Sequence, residues 1–129
     1  MGVVFLFLKN TRGDSVKKKY RLKKSHEIAA VVQKRVRIAE KHYTVYYTKR
    51  NDGIKIAISA GKKYGNAVER NYAKRVVREI LRPHLQLLPS YSIVVVVKDV
   101  SKTASFEEKK NSLENALKVL LRKDRKNNE

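Results

Sequence analysis

Apolar and polar residues recur with two different periods along this chain, and the changes of period mark its elements. From Asn66 to Arg82 the period is helical. Ala73, Val76, Val77, Ile80 and Leu81 fill one arc. Arg70, Asn71, Lys74, Arg75, Arg78 and Arg82 fall within a second arc of about 140°, taken at about 100° per residue. One helix therefore presents an apolar face to a core and a cationic face to a polyanion. Asn66 with Glu69 three residues later is close to a capping box, and Pro83 bounds the far end because it has no N–H to donate. Ile54 to Ser59 alternates strictly, with Ile54, Ile56 and Ile58 opposite Lys55, Ala57 and Ser59, as a half-buried strand does. Tyr43 to Arg50 is rich in Tyr, Thr and Val and reads as the preceding strand. Asn51-Asp52-Gly53 between the two predicts a tight hairpin. Tyr91 to Val97 is an apolar, β-branched run and predicts a strand covered on both faces in the middle of a sheet.

Two more helices complete the pattern. Ser25 is placed to cap a helix from His26 to about Lys34, with Ile28, Ala29, Val31 and Val32 on its apolar side. Val36 and Ile38 suggest a short strand after it. Ser105 and Glu108 form a capping box for a last helix, whose stripe is Phe106, Leu113, Ala116, Leu117, Leu120 and Leu121. The order is αβ(β)βαβα, an open sheet covered by helices, in one domain over residues 20–122. Residues 1–19, with Lys17-Lys18-Lys19, read as a disordered basic arm, and residues 123–129 as a flexible polar tail.

Charge changes the picture from a fold to a partner. The chain of 129 residues carries 31 Lys and Arg against 12 Asp and Glu, a formal net charge of +19. A folded body so charged repels itself unless a polyanion neutralises it, and nucleic acid is the usual one. An anionic membrane surface is the main competitor. There are no cysteines, which excludes disulfides, zinc-finger ligands and thiol nucleophiles together. The apolar run Val3 to Leu8 is far shorter than the roughly 20 residues a bilayer span needs. It lacks the charge and cleavage pattern of a secretory signal, so a soluble cytoplasmic protein is expected. A sticky extension, an extra edge segment and a misassigned start all fit that run.

Catalytic chemistry finds little to use. His26, His42 and His84 are far apart and lie in no metal-ligand spacing. Glu107 and Glu108 belong to a helix start, and Asp99 to a turn. Gly61 to Gly65 has too few glycines for a phosphate-binding loop of the P-loop kind. The polypeptide is not expected to be a self-sufficient enzyme. RNA binding has better support: Lys62, Lys63, Arg70, Lys74, Arg75 and Arg78 gather at a loop and a helix start, where forked guanidinium groups and free N–H groups both suit phosphate. Asn71 is a mediocre helix former, but its amide can donate and accept within the stripe. Tyr46 points away from Tyr43 and Tyr47 on its strand and is the one best placed to stack on a base.

Gly65 to Arg78, GNAVERNYAKRVVR, resembles the signature of the bacterial ribonuclease P protein subunit, with R-N-x-x-K-R matched by Arg70, Asn71, Lys74 and Arg75. Ile58-Ser59, Lys62-Lys63, Gly65 to Val68 and the approach Tyr20 to Lys24 follow the same pattern, and the likeness covers about residues 20–122. The resemblance implies an α+β fold, αβββαβα, with a four-stranded sheet and a left-handed β–α–β crossover (ribosomal protein S5 domain 2-like). It implies that an RNA subunit, using Mg2+ that it mainly binds itself, removes the 5′ leader of precursor tRNA. The protein's implied partners are that RNA and precursor tRNA, one protein per RNA, with no membrane. Carried over, the RNA-subunit contacts are Lys62, Lys63, Arg70, Asn71, Lys74, Arg75 and Arg78, and the leader cleft includes Tyr46, Ile28 and Val32. Many members carry aromatics where this chain has Ile28 and Val32; losing two rings weakens the case for leader stacking on that helix, and aliphatic contact would replace only part of it. A ribosomal or RNA-chaperone protein without a role in cleavage is the alternative, and a stand-alone nuclease the third reading.

Overall fold

The computed structural model describes residues 20–22 and 24–127; the arm expected at residues 1–19 lies outside them. Helix α1 runs Ser25–Gln33, strands β1, β2 and β3 are Arg37–Ala39, Tyr43–Lys49 and Lys55–Ala60, helix α2 is Ala67–Leu81, strand β4 is Tyr91–Val97, and helix α3 is Phe106–Asn127. The order αβββαβα is the one the periodicities predict.

The sheet has four strands in the order β1-β2-β4-β3. β4 pairs antiparallel with β2 and parallel with β3, in register from Val97 against Tyr43 and from Ser92 against Lys55. This corrects the hairpin expected at Asn51-Asp52-Gly53. The turn is there, with Gly53 at φ 94°, but β2 and β3 are not partners. β4 lies between them because its residues are apolar on both sides: Ile93, Val94 and Val95 are each at most 1% exposed. Only a central position covers such a strand on both faces. The connection from β2 to β3 crosses the start of β4 and is tied to it. Arg50 N–H donates to the Ser90 carbonyl at 3.1 Å, Gly53 N–H to Ser90 Oγ at 3.2 Å, and the Arg50 guanidinium to Ser92 Oγ at 2.9 Å.

The strands' alternation divides the apolar residues between two layers. Tyr43, Val45, Tyr47, Ile56, Ile93 and Val95 face α2 and α3 and form the main core with Val77, Leu81, Leu113 and Leu120. Tyr47 and Tyr91 meet edge to face there, with ring centroids 5.8 Å apart. On the other face α1 closes a smaller layer of Leu22, Val31 and Val94, with Ile28, Val32 and Tyr46 packed around it.

Two details of the helices differ from expectation. Lys24, not Ser25, holds the cap position of α1, with no side-chain cap bond, and Ala29 on its presumed apolar side is exposed. α3 continues to Asn127 through residues expected as a tail. Asp124 anchors that last stretch: it accepts from Tyr91 OH at 3.0 Å and pairs with Lys49 at 3.5 Å. Tertiary partners thus extend a helix that its polar composition would let fray.

Candidate RNA interface

The cationic surface is built from the turn after β3 upward. Lys62–Tyr64 forms one 3-10 turn in which Tyr64 is buried and Lys62 and Lys63 are exposed. The buried ring anchors the turn, so the two ammonium groups project from a fixed base. At the start of α2 the capping box is complete, with Asn66 and Glu69 bonded reciprocally. Gly65 makes room for it. A Cβ at that position would overlap the Glu69 carboxylate and sit 2.8 Å from its Cδ. Lys102, from the segment after β4, pairs with Glu69 at 3.0 Å and lies over the Tyr64 ring. The turn, the cap and this neighbouring segment therefore form one unit.

Along α2 the stripe emerges as spaced, with one exception. Arg70 Nε donates to the Gly65 carbonyl at 3.2 Å, which holds this side chain back along the loop. Asn71 is exposed, and Lys74, Arg75 and Arg78 are half-buried with their heads at the surface edge. Burial, and then the neighbouring charges of Arg21 and Arg75, push the Arg78 guanidinium below its ordinary value. Arg82 departs from the stripe: its guanidinium pairs with buried Glu79 at 3.0 Å. The helical wheel counts Arg82 with the stripe because it ignores a buried carboxylate three residues back on the same helix.

Five of the acidic residues are paired with other cations. Asp52 pairs with Arg50, Glu69 with Lys102, Glu79 with Arg82, Glu114 with His84 and Asp124 with Lys49. Among the described residues no carboxylate pairs with Lys62, Lys63, Arg70, Lys74, Arg75 or Arg78. These six cations are therefore not neutralised by any described carboxylate.

The second sequence-derived group also comes together. Tyr46, Ile28 and Val32 meet on the α1 face of the sheet, whereas Tyr43 and Tyr47 are buried in the main core. Beside them a groove of about 190 Å³ runs between α1 and β3, with Leu22, Ile28, Ala57 and Ile58 in its walls and Arg21 and Arg78 at its sides. Sequence reasoning did not single out Arg21. Its backbone pairs with Ile56 as a one-residue bridge on the edge of β3, and Leu22 N–H donates to the Ile56 carbonyl at 2.8 Å. The only local signal was an apolar residue within a basic run. The three histidines occupy separate places: His84 bonds Glu114 at 2.9 Å, His42 is buried beside Ser112, and His26 is exposed.

The fold has counterparts among known proteins. A family model for ribonuclease P matches residues 16–121. The chain belongs to the ribonuclease P protein family. The ribonuclease P protein component of Phytoplasma australiense is 40% identical over 100 residues, covering 75% of this chain and 87% of that protein. That of Staphylococcus haemolyticus is 32% identical over 105 residues, covering 81% and 92%. The RNase P protein of Staphylococcus aureus superposes with a TM-score of 0.73 at 32% identity, over 78% of this chain and 94% of that one. The RNase P protein of Thermotoga maritima superposes with a TM-score of 0.69 at 25% identity, over 76% and 94%. Membership makes this chain a protein component of a ribonucleoprotein of tRNA processing, with ribonuclease P RNA as its partner.

Proposed function

We propose that Lys62, Lys63, Arg70, Asn71, Lys74, Arg75 and Arg78 dock the ribonuclease P RNA, and that Tyr46, Ile28 and Val32 line the cleft that receives the 5′ leader of precursor tRNA. In this reading the RNA subunit cuts the leader, and the protein raises substrate affinity and metal-ion use. One protein acts with one RNA, in the cytoplasm. Among the described residues no three His, Asp or Glu side chains gather where a metal ion could be held, and no Mg2+ site is assigned to the protein. The described helices include none long and apolar enough to cross a membrane.

One observation carries the reading. Arg78 of the docking face and Ile28 of the leader face line the same groove of about 190 Å³. An RNA strand leaving one surface can enter the other without crossing a neutral gap. Apolar walls with Arg21 and Arg78 in the same lining suit a chain of bases and phosphates, since bases take apolar contact and phosphates take the charge.

Reconstitution tests it. The protein is mixed with a ribonuclease P RNA at low Mg2+, and cleavage of precursor tRNA is followed with and without the 5′ leader's distal nucleotides. Stimulation that grows with leader length is expected. No stimulation, together with equal binding to any RNA, would point to an RNA-chaperone role, and cleavage by protein alone to a nuclease.

A further inference from the structure

Between Asn71 and Lys74 the cationic run contains a residue that charge does not explain. Tyr72 is 56% exposed, and Val68 one turn earlier is 77% exposed. Neither belongs to the apolar arc of α2, which Ala73, Val76, Val77 and Ile80 carry into the core. Exposed apolar side chains one turn apart on a helix form a continuous patch. Here cations border the patch: Arg75 follows Tyr72 by three residues and stands about 60° round the helix from it. From α3, Lys109 places its Nζ 5.9 Å from the centre of the Tyr72 ring.

Lys109 is unusual in itself. It is 7% exposed, burial pushes its ammonium below the ordinary value, and no carboxylate pairs with it among the described residues. Holding an ammonium against an aromatic face compensates part of that desolvation. It also fixes the ring. With one face covered by Lys109 and the ring still more than half exposed, the opposite face is the one open to a ligand. A held ring with one free π-face, an aliphatic neighbour and cations on its rim has the composition of a base-stacking platform. A protein partner of ordinary chemistry would meet the positive rim at a cost, whereas the phosphates flanking an unpaired base would meet it favourably.

We propose that Tyr72, backed by Lys109, stacks on an unpaired nucleobase of the RNA that docks along α2. The inference rests on the docking reading above and deepens it: the stripe then recognises a single-stranded or bulged feature as well as backbone charge.

The chain contains no tryptophan, so Tyr72→Trp installs a single fluorescent reporter. The probes are a ribonuclease P RNA transcript and, separately, a single-stranded and a duplex RNA of equal length. Expected are quenching of the introduced indole by the transcript and the single strand but not the duplex, and a loss of about 5- to 100-fold in transcript affinity for Tyr72→Ala. Tyr72→Phe should bind as the parent does, and the salt dependence of Tyr72→Ala should keep the parent slope. Unchanged affinity of Tyr72→Ala, or a Phe variant as weak as the Ala variant, overturns the proposal. The double variant Arg70→Ala/Arg75→Ala separates the two readings. If it binds normally the docking face is wrong; if it is weakened while Tyr72→Ala is not, only the platform is. Circular dichroism of each variant before titration confirms that the fold is intact.

Discussion

Asn66 and Glu69 hold each other across the first turn of α2: the Asn66 side chain accepts from the Glu69 N–H at 2.9 Å, and the Glu69 carboxylate accepts from the Asn66 N–H at 2.9 Å. This pair sets where the basic helix begins, and so where Arg70 and Asn71 stand relative to the Lys62-Lys63 turn. Asn66→Ala should cost about 1 kcal/mol and lower Tm by several degrees. Gly65→Ala should act in the same direction, because its Cβ displaces the Glu69 carboxylate. Thermal melts of both variants check this, and a Gly65→Ala protein as stable as the parent would show that the carboxylate is not needed there.

Acid should loosen the fold through its caps. Glu69 and Glu108 are held below the ordinary carboxylate range, chiefly by the backbone N–H groups of Asn66 and Ser105, and Asp52 chiefly by its hydrogen bond from Arg50. Depressed carboxylates stabilise the fold while ionised. Their contribution is whole above the ordinary value of about 4 and is lost as pH falls through the lowered ones. Glu79 has the opposite sign: burial raises it, against the pull of Arg82, so its contribution is present at low pH and lost as pH rises through the raised value. A Tm profile from pH 2.5 to 7 should therefore fall on the acid side. Glu69→Gln with Glu108→Gln should flatten that side, and Glu79→Gln the neutral side.

Arg70→Ala/Arg75→Ala should weaken binding to the RNA partner by about tenfold or more while leaving the melting temperature nearly unchanged, since neither residue belongs to the buried core. For about six neutralised phosphates, log affinity falls with log salt at a slope of roughly −4 to −5, and the double variant should lessen it by about 2. Filter binding across salt concentrations measures both. A parent slope near −1 would remove the electrostatic basis of the docking surface.

Tyr46→Ala should weaken precursor tRNA carrying its leader by about 1–3 kcal/mol and leave mature tRNA unaffected. Tyr46 is only half-buried, in the smaller layer under α1, so the fold should survive the change. Equal loss for both substrates would move the contact from the leader to the body of the tRNA.

Tyr91→Phe should cost about 1 kcal/mol by deleting the hydrogen bond to Asp124 while keeping the ring against Tyr47. Hydrogen exchange should then report earlier opening of the last turns of α3. Unchanged protection beyond Leu121 would mean that the end is held without the Tyr91 hydroxyl.

Much of the site is legible in local pattern. The stripe on α2, the Lys62-Lys63 turn and the opposed directions of Tyr46 and Tyr47 all follow from helical and strand periods, and the structure places these residues as spaced. A wheel misplaces Arg82 because it shows directions and not ion pairs, and Glu79 draws that side chain away. Arg21 escapes local pattern because its place depends on a bridge to Ile56, 35 positions along the chain (56 − 21). Tyr72 lies among the stripe residues in sequence, yet its significance depends on Lys109 from a different helix.

The amino-acid sequence by itself determined the helix ends and faces. Capping boxes at Asn66 and Ser105 join residues three apart, and amphipathic arcs repeat within two turns, so near neighbours suffice to specify them. Only the tertiary structure decided the sheet order. The alternation of Ile54, Ile56 and Ile58 and the Asp52-Gly53 turn are the same whether β3 pairs with β2 or leaves a slot for β4. What fills the slot is Tyr91–Val97, a strand that reaches low energy only with a neighbour on each edge and a helix layer on each face. That long-range requirement brings α2 across the sheet and sets Arg78 beside Ile28 at one groove.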